Sequence, residues 1–149
     1  MTLFDELTAL VKALDQAGIE YALVGGLAVA VWGAPRATQD IDLLVRADAL
    51  PAALEVARGQ GFATRALPMR FADGMEVHRV SKTDAGEMLL LDLILVNANL
   101  EPAWRTRLRL ATEGGVLWVI SRDGLIQMKV AAGRPQDLAD VARLRELDR

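Results

Sequence analysis

The chain has 149 residues, the length of one compact domain, and we expect a single domain over residues 1–149. Hydrophobic residues make up 52% and charged residues 25%, which excludes a disordered chain or a low-complexity repeat. Cys is absent and His78 is the one histidine, which excludes disulfide frameworks, thiolate metal sites and a multi-histidine zinc centre. The net charge of −3 and the pI near 5.2 give no overall attraction for nucleic acid.

The mean hydropathy of +0.23 is high and raises the question of a membrane span. The longest uncharged stretch, residues 21–35, is interrupted by the pair Gly25 and Gly26 and falls short of the roughly 20 apolar residues that a span needs. Asp5 and Glu6 follow closely on the first residue, and no basic region precedes them, so no signal peptide is predicted. We therefore expect a cytoplasmic protein that does not interact with membranes.

The first third of the chain alternates between helical and strand patterns. Thr2 and Asp5 form a capping-box pattern ahead of apolar residues at helical spacing, and Gly18 ends that helix. Asp48 is predicted to cap a third helix that has Pro51 in its first turn. The predicted elements are helices over 2–16, 27–32 and 48–58, and strands over 21–24 and 40–45.

From residue 62 the periodicity changes to that of strands, and helices return near the end. Residues 82–86 predict a turn that joins two strands into a hairpin, and residues 112–115 predict a second hairpin. The predicted elements are strands over 62–65, 76–80, 88–96, 107–111 and 116–119, a helical turn over 102–105, and helices over 121–132 and 136–147. The fold class is therefore α+β, with a mixed sheet, flanking helices and two helices at the carboxyl end.

Two aspartates share one face of the second strand. Asp40 and Asp42 are two residues apart, so they project together while Ile41 points to the opposite face. Two neighbouring carboxylates disfavour each other's ionisation, and a divalent cation relieves that repulsion. Oxygen ligands of this kind favour Mg²⁺ or Mn²⁺ over zinc. The alternative is a strand end with two solvated aspartates.

A third aspartate stands alone in an apolar strand. Asp92 lies within residues 88–96, where its neighbours are apolar on both faces, so its carboxylate requires a partner or a metal. Three carboxylates on neighbouring strands can hold two metal ions, as in two-metal phosphoryl or nucleotidyl transfer. The competing interpretation is a structural salt bridge from Asp92 to Arg36 or Arg79.

Gly25 and Gly26 lie where a strand turns into a helix, and the absence of side chains there would let phosphates approach the backbone N–H groups. A tight turn is the simpler explanation. Together with the segments 36–42 and 91–93, this pair resembles the signature of the DNA polymerase β-like nucleotidyltransferase superfamily. It is most similar to the antibiotic (aminoglycoside and lincosamide) nucleotidyltransferases and to the abortive-infection AbiE-type toxin nucleotidyltransferases, and residues 125–140 also resemble the latter.

The resemblance implies a role for each matching residue. Asp40, Asp42 and Asp92 would be catalytic residues and ligands of two Mg²⁺ (or Mn²⁺) ions, with Asp92 the general base. The nucleotide-binding residues would be Gly25, Gly26, Arg36, Thr38 and Lys129.

Lys129 allows two interpretations. It lies in an otherwise apolar helical stretch, where a single cation suits a phosphate contact but also fits a lysine whose ammonium reaches water at the helix edge. Arg134 and Asp137 are interpreted as an ion pair at a helix junction. Arg105, Arg107 and Arg109 alternate, so on a strand they would form one basic face, either for an RNA backbone or as a charged, solvated edge.

The predicted activity is metal-dependent transfer of an NMP from an NTP, ATP among the candidates, to a hydroxyl or phosphate acceptor, with release of pyrophosphate. The acceptor could be RNA, a protein or a small molecule. Antibiotic nucleotidyltransferases usually carry a further helical domain, so we expect a homodimer, a partner protein or a macromolecular acceptor to complete the site. The alternatives are a catalytically inactive partner protein of a toxin–antitoxin-like pair and a two-metal phosphohydrolase.

Overall fold

A computed structural model describes residues 2–35 and 37–147, which form an eight-stranded mixed sheet with six α-helices. The strands are β1 (Ala22–Val24), β2 (Asp40–Val45), β3 (Thr64–Arg65), β4 (Met69–Arg70), β5 (Glu76–Asp84), β6 (Glu87–Leu95), β7 (Leu108–Thr112) and β8 (Gly115–Val119). The helices are α1 (Leu3–Gln16), α2 (Gly25–Val31), α3 (Leu50–Gly59), α4 (Glu101–Arg105), α5 (Arg122–Ala132) and α6 (Pro135–Glu146). The predicted mixed sheet with flanking helices is confirmed.

The strands lie in the order β3-β5-β6-β2-β1-β8-β7, and β4 pairs with β5 outside this path. The pairs β2–β6 and β1–β8 are parallel, and the remaining pairs are antiparallel. This order places β2 and β6 side by side in the middle of the sheet. Residues far apart in sequence therefore meet at the sheet centre.

One row of residues crosses four neighbouring strands. Val24 lies opposite Asp42, Asp42 opposite Asp92, and Asp92 opposite Arg79. Because directly opposed residues of paired strands project to the same face, this row sets three charged side chains next to one another.

The opposite face of the central strands builds the hydrophobic core. Residues that alternate with the aspartates are fully buried, and α1 packs against α3 and β2 on that side. The core residues of these elements include Leu7, Leu10, Leu14, Ile41, Leu43, Leu91, Leu93, Ala53 and Ala57. Because successive side chains of a strand point to opposite faces, the central strands have one apolar face and one charged face.

Several predicted boundaries need correction. The capping box of Thr2 and Asp5 forms as predicted, but Asp48 does not cap α3. Asp48 lies in a 3-10 turn (Ala47–Ala49), and α3 begins at Leu50 without a side-chain cap. The helix α2 begins at Gly25 rather than at residue 27.

The predicted central hairpin forms, but its turn is shorter than the sequence indicates. Strand pairing continues to Asp84 and Glu87, which leaves Ala85 and Gly86 as the turn. Both turn residues have positive φ angles, 51° and 83°, as a tight two-residue hairpin turn requires. The two-residue strand β4 was not predicted, because it is too short to show a period.

The predicted basic face of alternating arginines is wrong. Arg105 ends α4 and Arg107 precedes β7, so only Arg109 lies on the strand. The Arg107 guanidinium carbon lies 3.9 Å from the centre of the Trp104 ring, and the side chain pairs with Glu20 at 3.0 Å. Arg107 is thus engaged in contacts within the protein.

None of the helices within residues 2–35 and 37–147 combines the length and the apolar character that a membrane crossing requires.

A buried ion pair ties α1 to β5. The Lys82 ammonium lies 2.5 Å from the Glu6 carboxylate, donates to the Gln60 carbonyl oxygen, and faces the Phe62 ring at 5.2 Å. Glu6 is 3% exposed, so its charge is compensated almost entirely by Lys82. Each of the two charged side chains therefore needs the other to be stable in its buried position.

We predict that Lys82→Met destabilises the fold by about 3–5 kcal/mol, because it leaves the Glu6 charge buried without a partner. The double variant Glu6→Leu/Lys82→Met should recover most of that loss, since no uncompensated charge is left. Urea denaturation of the three proteins measures both effects. A double variant that is no more stable than Lys82→Met would contradict this account.

Candidate active site

A cavity of about 400 Å³ opens on the charged face of the sheet. Its walls come from the end of β1, the start of α2, the strands β2 and β6, and the helices α5 and α6. Seven of the eight site residues predicted from the sequence line it: Gly25, Gly26, Thr38, Asp40, Asp42, Asp92 and Lys129. The eighth, Arg36, lies outside the described residues.

The three aspartates face this cavity from two adjacent strands. Asp40 and Asp42 share a face of β2, and Asp92 lies beside Asp42 on β6. Asp42 is partly exposed to the cavity, yet burial raises the pKa of its carboxyl to about 7. The negative charges of Asp92 and Asp40 contribute to that rise, and Lys129 opposes it. The site therefore holds more negative charge than its surroundings balance.

Gly25 is required at its position for two separate reasons. Its φ of 69° lies in the left-handed region that L side chains rarely adopt. A Cβ atom added there would overlap the carboxylate of Asp42. The turn from β1 into α2 therefore packs its backbone directly against one of the aspartates.

Asp92 forms a bidentate ion pair with Arg79 of the neighbouring strand. The Arg79 Nε donates to Asp92 Oδ1 at 2.7 Å, and Nη2 donates to Oδ2 at 2.9 Å. The Asp92 side chain is 9% exposed, whereas that of Arg79 is 34% exposed. The salt bridge to Arg79 that the sequence left open is thus present, and Asp92 also lines the cavity.

The donor atoms of the aspartates suit a hard divalent cation, since carboxylate oxygens are the ligands that Mg²⁺ and Mn²⁺ prefer. The excess negative charge that raises the pKa of Asp42 is charge that such an ion would compensate. Within residues 2–35 and 37–147, no three His, Cys, Asp or Glu side chains are placed so that they could hold a metal ion together. Asp40 and Asp42 fit the role of ligands, while Asp92 is held by Arg79 in this arrangement.

Lys129 projects from α5 toward the carboxylates and is buried, with 7% of its surface exposed. Its ammonium lies 3.0 Å from Asp140 Oδ2 and 3.3 Å from Asp137 Oδ1, and both partners belong to α6. The interpretation as a lysine whose ammonium reaches water at the helix edge is therefore wrong. Lys129 is a fixed, buried cation at the cavity wall.

Arg134 and Asp137 form the predicted ion pair at the junction of α5 and α6. The Arg134 Nε donates to Asp137 Oδ2 at 2.6 Å, and the Arg134 backbone N–H donates to the same oxygen at 3.2 Å. The left-handed Gly133 ends α5 immediately before this junction. Asp137 thus stabilises the start of α6 and also pairs with Lys129.

Asp140 was the feature that the sequence alone did not locate, while the pairing of Arg79 with Asp92 was one of two alternatives that the sequence left open. The spacing of Asp137 and Asp140, one helical turn apart, was the available signal for a partner of Lys129. Together the walls offer carboxylates from the sheet and cations from β5, α5 and the α5–α6 junction. Carboxylates can bind a divalent ion and cations can bind phosphate oxygens, so the arrangement suits a metal–nucleotide complex.

Solved structures of similar fold include two antibiotic-modifying enzymes. The lincosamide antibiotic adenylyltransferase LnuA, in its lincomycin-bound crystal structure, has a TM-score of 0.69 and 14% identity, with 95% of each chain covered. The enzyme ANT(2")-Ia, in complex with adenylyl-2"-tobramycin, has a TM-score of 0.63 and 14% identity over 93% of this chain and 84% of that one. A candidate nucleotidyltransferase from Thermotoga maritima has a TM-score of 0.61 and 17% identity over 100% and 97%.

These likenesses establish the fold, which is that of the nucleotidyltransferases, as the sequence resemblance implied. Among curated proteins, none matches the chain by sequence. A family model for nucleotidyltransferases of unknown function matches residues 1–146, almost the whole chain. The protein therefore belongs to this nucleotidyltransferase family, DUF6036.

Proposed function

We propose that this protein transfers an NMP from an NTP to a hydroxyl or phosphate acceptor and releases pyrophosphate. The observation that carries the proposal is the row of Asp42 beside Asp92, facing a cavity whose other walls carry Lys129 and Arg134. The proposal is supported by the presence in one cavity of acidic groups suited to a divalent ion and cations suited to phosphates.

Asp40 and Asp42 are the proposed ligands of Mg²⁺ or Mn²⁺, and a second ion would also involve Asp92. When bound, the ions supply charge neutralisation at the reacting phosphate and lower the pKa of a coordinated acceptor hydroxyl. Asp92 is the proposed general base. In the transfer, the acceptor oxygen bonds to the α-phosphorus, the bond from that phosphorus to the bridging oxygen breaks, pyrophosphate leaves, and Asp92 takes the acceptor proton.

The cationic wall is proposed to bind the triphosphate. Lys129 lines the same cavity as Asp42, and its positive charge lowers the pKa of that carboxyl. Thr38, which accepts a 3.5 Å hydrogen bond from the Asp40 backbone, lines the same wall, as do Gly25 and Gly26. Arg36 stays a proposed phosphate ligand on the strength of the sequence resemblance alone.

The acceptor is proposed to enter from the part of the cavity beyond Asp92, where Met75 and Ile94 add apolar surface. The chain covers 95% of LnuA, a structure with lincomycin bound. This likeness supports a small molecule as one candidate acceptor, and a homodimer or partner protein stays a proposal. RNA, a protein side chain and a small molecule are the three acceptor classes to compare.

The experiment that tests this function incubates the protein with each α-labelled NTP, Mg²⁺ or Mn²⁺, and total RNA, total protein or a small-molecule pool. Transfer requires label on an acceptor together with released pyrophosphate. Phosphate or free NMP without labelled acceptor would indicate the phosphohydrolase instead. No metal-stimulated consumption of any NTP would favour the inactive partner protein, for which the engagement of Asp92 by Arg79 is the supporting observation.

We predict that Asp42→Asn lowers transfer at least about a hundredfold, since even groups that only orient metal ligands are worth up to that factor. The substitution removes a charge and keeps the shape of the side chain. Asp48→Asn, at an exposed position in the 3-10 turn, is the matched control and should retain full activity. Wild-type activity of Asp42→Asn would refute the proposed role of Asp42.

We also predict that Asp42→Asn stabilises the metal-free protein, and more so at higher pH. The pKa of Asp42 is raised from 3.8 to about 7 in the folded state, so the wild type loses stability as the pH rises between those values. The asparagine side chain of the variant does not ionise and escapes that loss, which amounts to about 1–4 kcal/mol at pH 8. Urea denaturation at pH 4, 6 and 8 with EDTA measures the difference, and a gap that stays constant with pH would contradict it.

Lys129→Ala is predicted to lower kcat/KM for the NTP about tenfold to a hundredfold. This factor corresponds to the free energy that a charge-assisted hydrogen bond to phosphate contributes. Lys129→Arg keeps the charge and should restore part of that loss.

Because Lys129→Ala also leaves Asp137 and Asp140 without their cation, the variant should be less stable than the wild type. Asp140→Asn is the matched control, since it disturbs the same ion pairs but retains the ammonium, and it should bind NTP within a few-fold of wild type. Nucleotide titrations that give wild-type affinity for Lys129→Ala would show that this lysine has a structural role only.

A further inference from the structure

We propose that Arg79 competes with a divalent cation for Asp92, so that full metal loading of the site requires the guanidinium to leave this carboxylate. The inference rests on the proposed function in one respect, namely that Asp40 and Asp42 bind a divalent ion. It adds a residue that the nucleotidyltransferase pattern in this sequence does not contain.

The geometry of the pair carries the first step. Both oxygens of Asp92 accept a hydrogen bond from Arg79, at 2.7 and 2.9 Å. In this side-on geometry each oxygen directs one of its lone pairs at the guanidinium, and the positive charge of the guanidinium offsets the charge of the carboxylate. In the described part of the chain, Asp40, Asp42 and Asp92 all line the cavity, yet they do not form a group placed to hold a metal ion together.

The register of the sheet carries the second step. Asp92 lies on β6, between β5 and β2. Arg79 lies opposite it on β5, and Asp42 lies opposite it on β2. The carboxylate therefore lies between a cation on one side and the proposed metal ligand on the other. Departure of the guanidinium would leave the Asp92 carboxylate available to an ion bound at Asp42.

The charge distribution carries the third step. The Arg79 guanidinium pairs with Asp92 and lines the same cavity as Asp40 and Asp42. Arg79 thus compensates part of the charge that a divalent ion would compensate. Two cations that neutralise the same carboxylates in a small space disfavour each other.

Arg79 also has room to move. Its side chain is 34% exposed, whereas Asp92 is fixed in the strand with 9% exposed. Because Arg79 lines the cavity, a guanidinium that leaves Asp92 stays within the cavity, where phosphate oxygens of a bound nucleotide are suitable acceptors. Arg79 would then transfer from a carboxylate to a phosphate as the site fills.

The test measures Mn²⁺ binding to the nucleotide-free protein by titration calorimetry and by the loss of the free-ion EPR signal. Arg79→Gln should tighten Mn²⁺ binding about tenfold or more, because a charge-assisted pair that opposes the ion is gone. Arg79→Lys, which keeps the charge but cannot form the bidentate pair, should tighten binding by a smaller factor. Thermal denaturation of both variants checks that the fold is retained.

Two controls separate competition from a general change in charge. Arg134→Gln removes one positive charge from the same cavity but leaves Asp92 paired, so it should change Mn²⁺ affinity less than Arg79→Gln does. In an Asp92→Asn background, Arg79→Gln should tighten binding much less, since the contested ligand is missing and only the repulsion between the two positive charges is removed.

Unchanged affinity in Arg79→Gln, or an equal gain with and without Asp92, would overturn the inference. If the wild type binds Mn²⁺ through Asp42 but Arg79→Gln does not alter the affinity, only the inference fails. If Mn²⁺ binds to no variant, the metal-dependent function and the inference fail together. If the predicted affinities are found but no NTP is consumed, the role of Arg79 stands and the proposed transfer fails.

Discussion

The parallel pairing of β2 with β6 is the constraint on which the candidate site depends, because its register places Asp42 directly beside Asp92. A slip of one residue would turn Asp92 toward the hydrophobic core and leave Asp42 without a charged neighbour. The register is held by the other face of the same strands, where Ile41, Leu43 and Leu93 are fully or almost fully buried. Core packing and site geometry are thus two consequences of one alignment.

The helices α5 and α6 add positive charge to the cavity beside the aspartates of the sheet. Lys129 is itself buried and depends on Asp137 and Asp140 to be stable there, so α6 is needed to hold the cation that α5 presents. Arg79 contributes a further positive charge from β5, where it pairs with Asp92. The cavity thus combines acidic and basic walls, a combination that suits the proposed binding of a metal–nucleotide complex.

Much of this arrangement follows from sequence. The period of two predicts that Asp40 and Asp42 share a face, and the apolar surroundings of Asp92 indicate that it needs a partner. The sequence names Arg36 and Arg79 as possible partners but does not choose between them, because the pairing of Arg79 depends on where the hairpin turns. A five-residue turn over 82–86 gives another register than the two-residue turn at Ala85 and Gly86, and only the latter sets Arg79 opposite Asp92. Burial of Lys129 could not be predicted either, since its partners come from a separate helix.

The contact between Gly25 and Asp42 has a mechanical consequence. The space that a methyl group would occupy at Gly25 is filled by the Asp42 carboxylate, so the backbone at the start of α2 and this side chain form one steric unit. A displacement of Asp42 toward the glycine is blocked, and the carboxylate can shift only toward the cavity or along the strand. The junction of β1 and α2 thereby limits the movement of the Asp42 carboxylate and keeps it directed into the cavity.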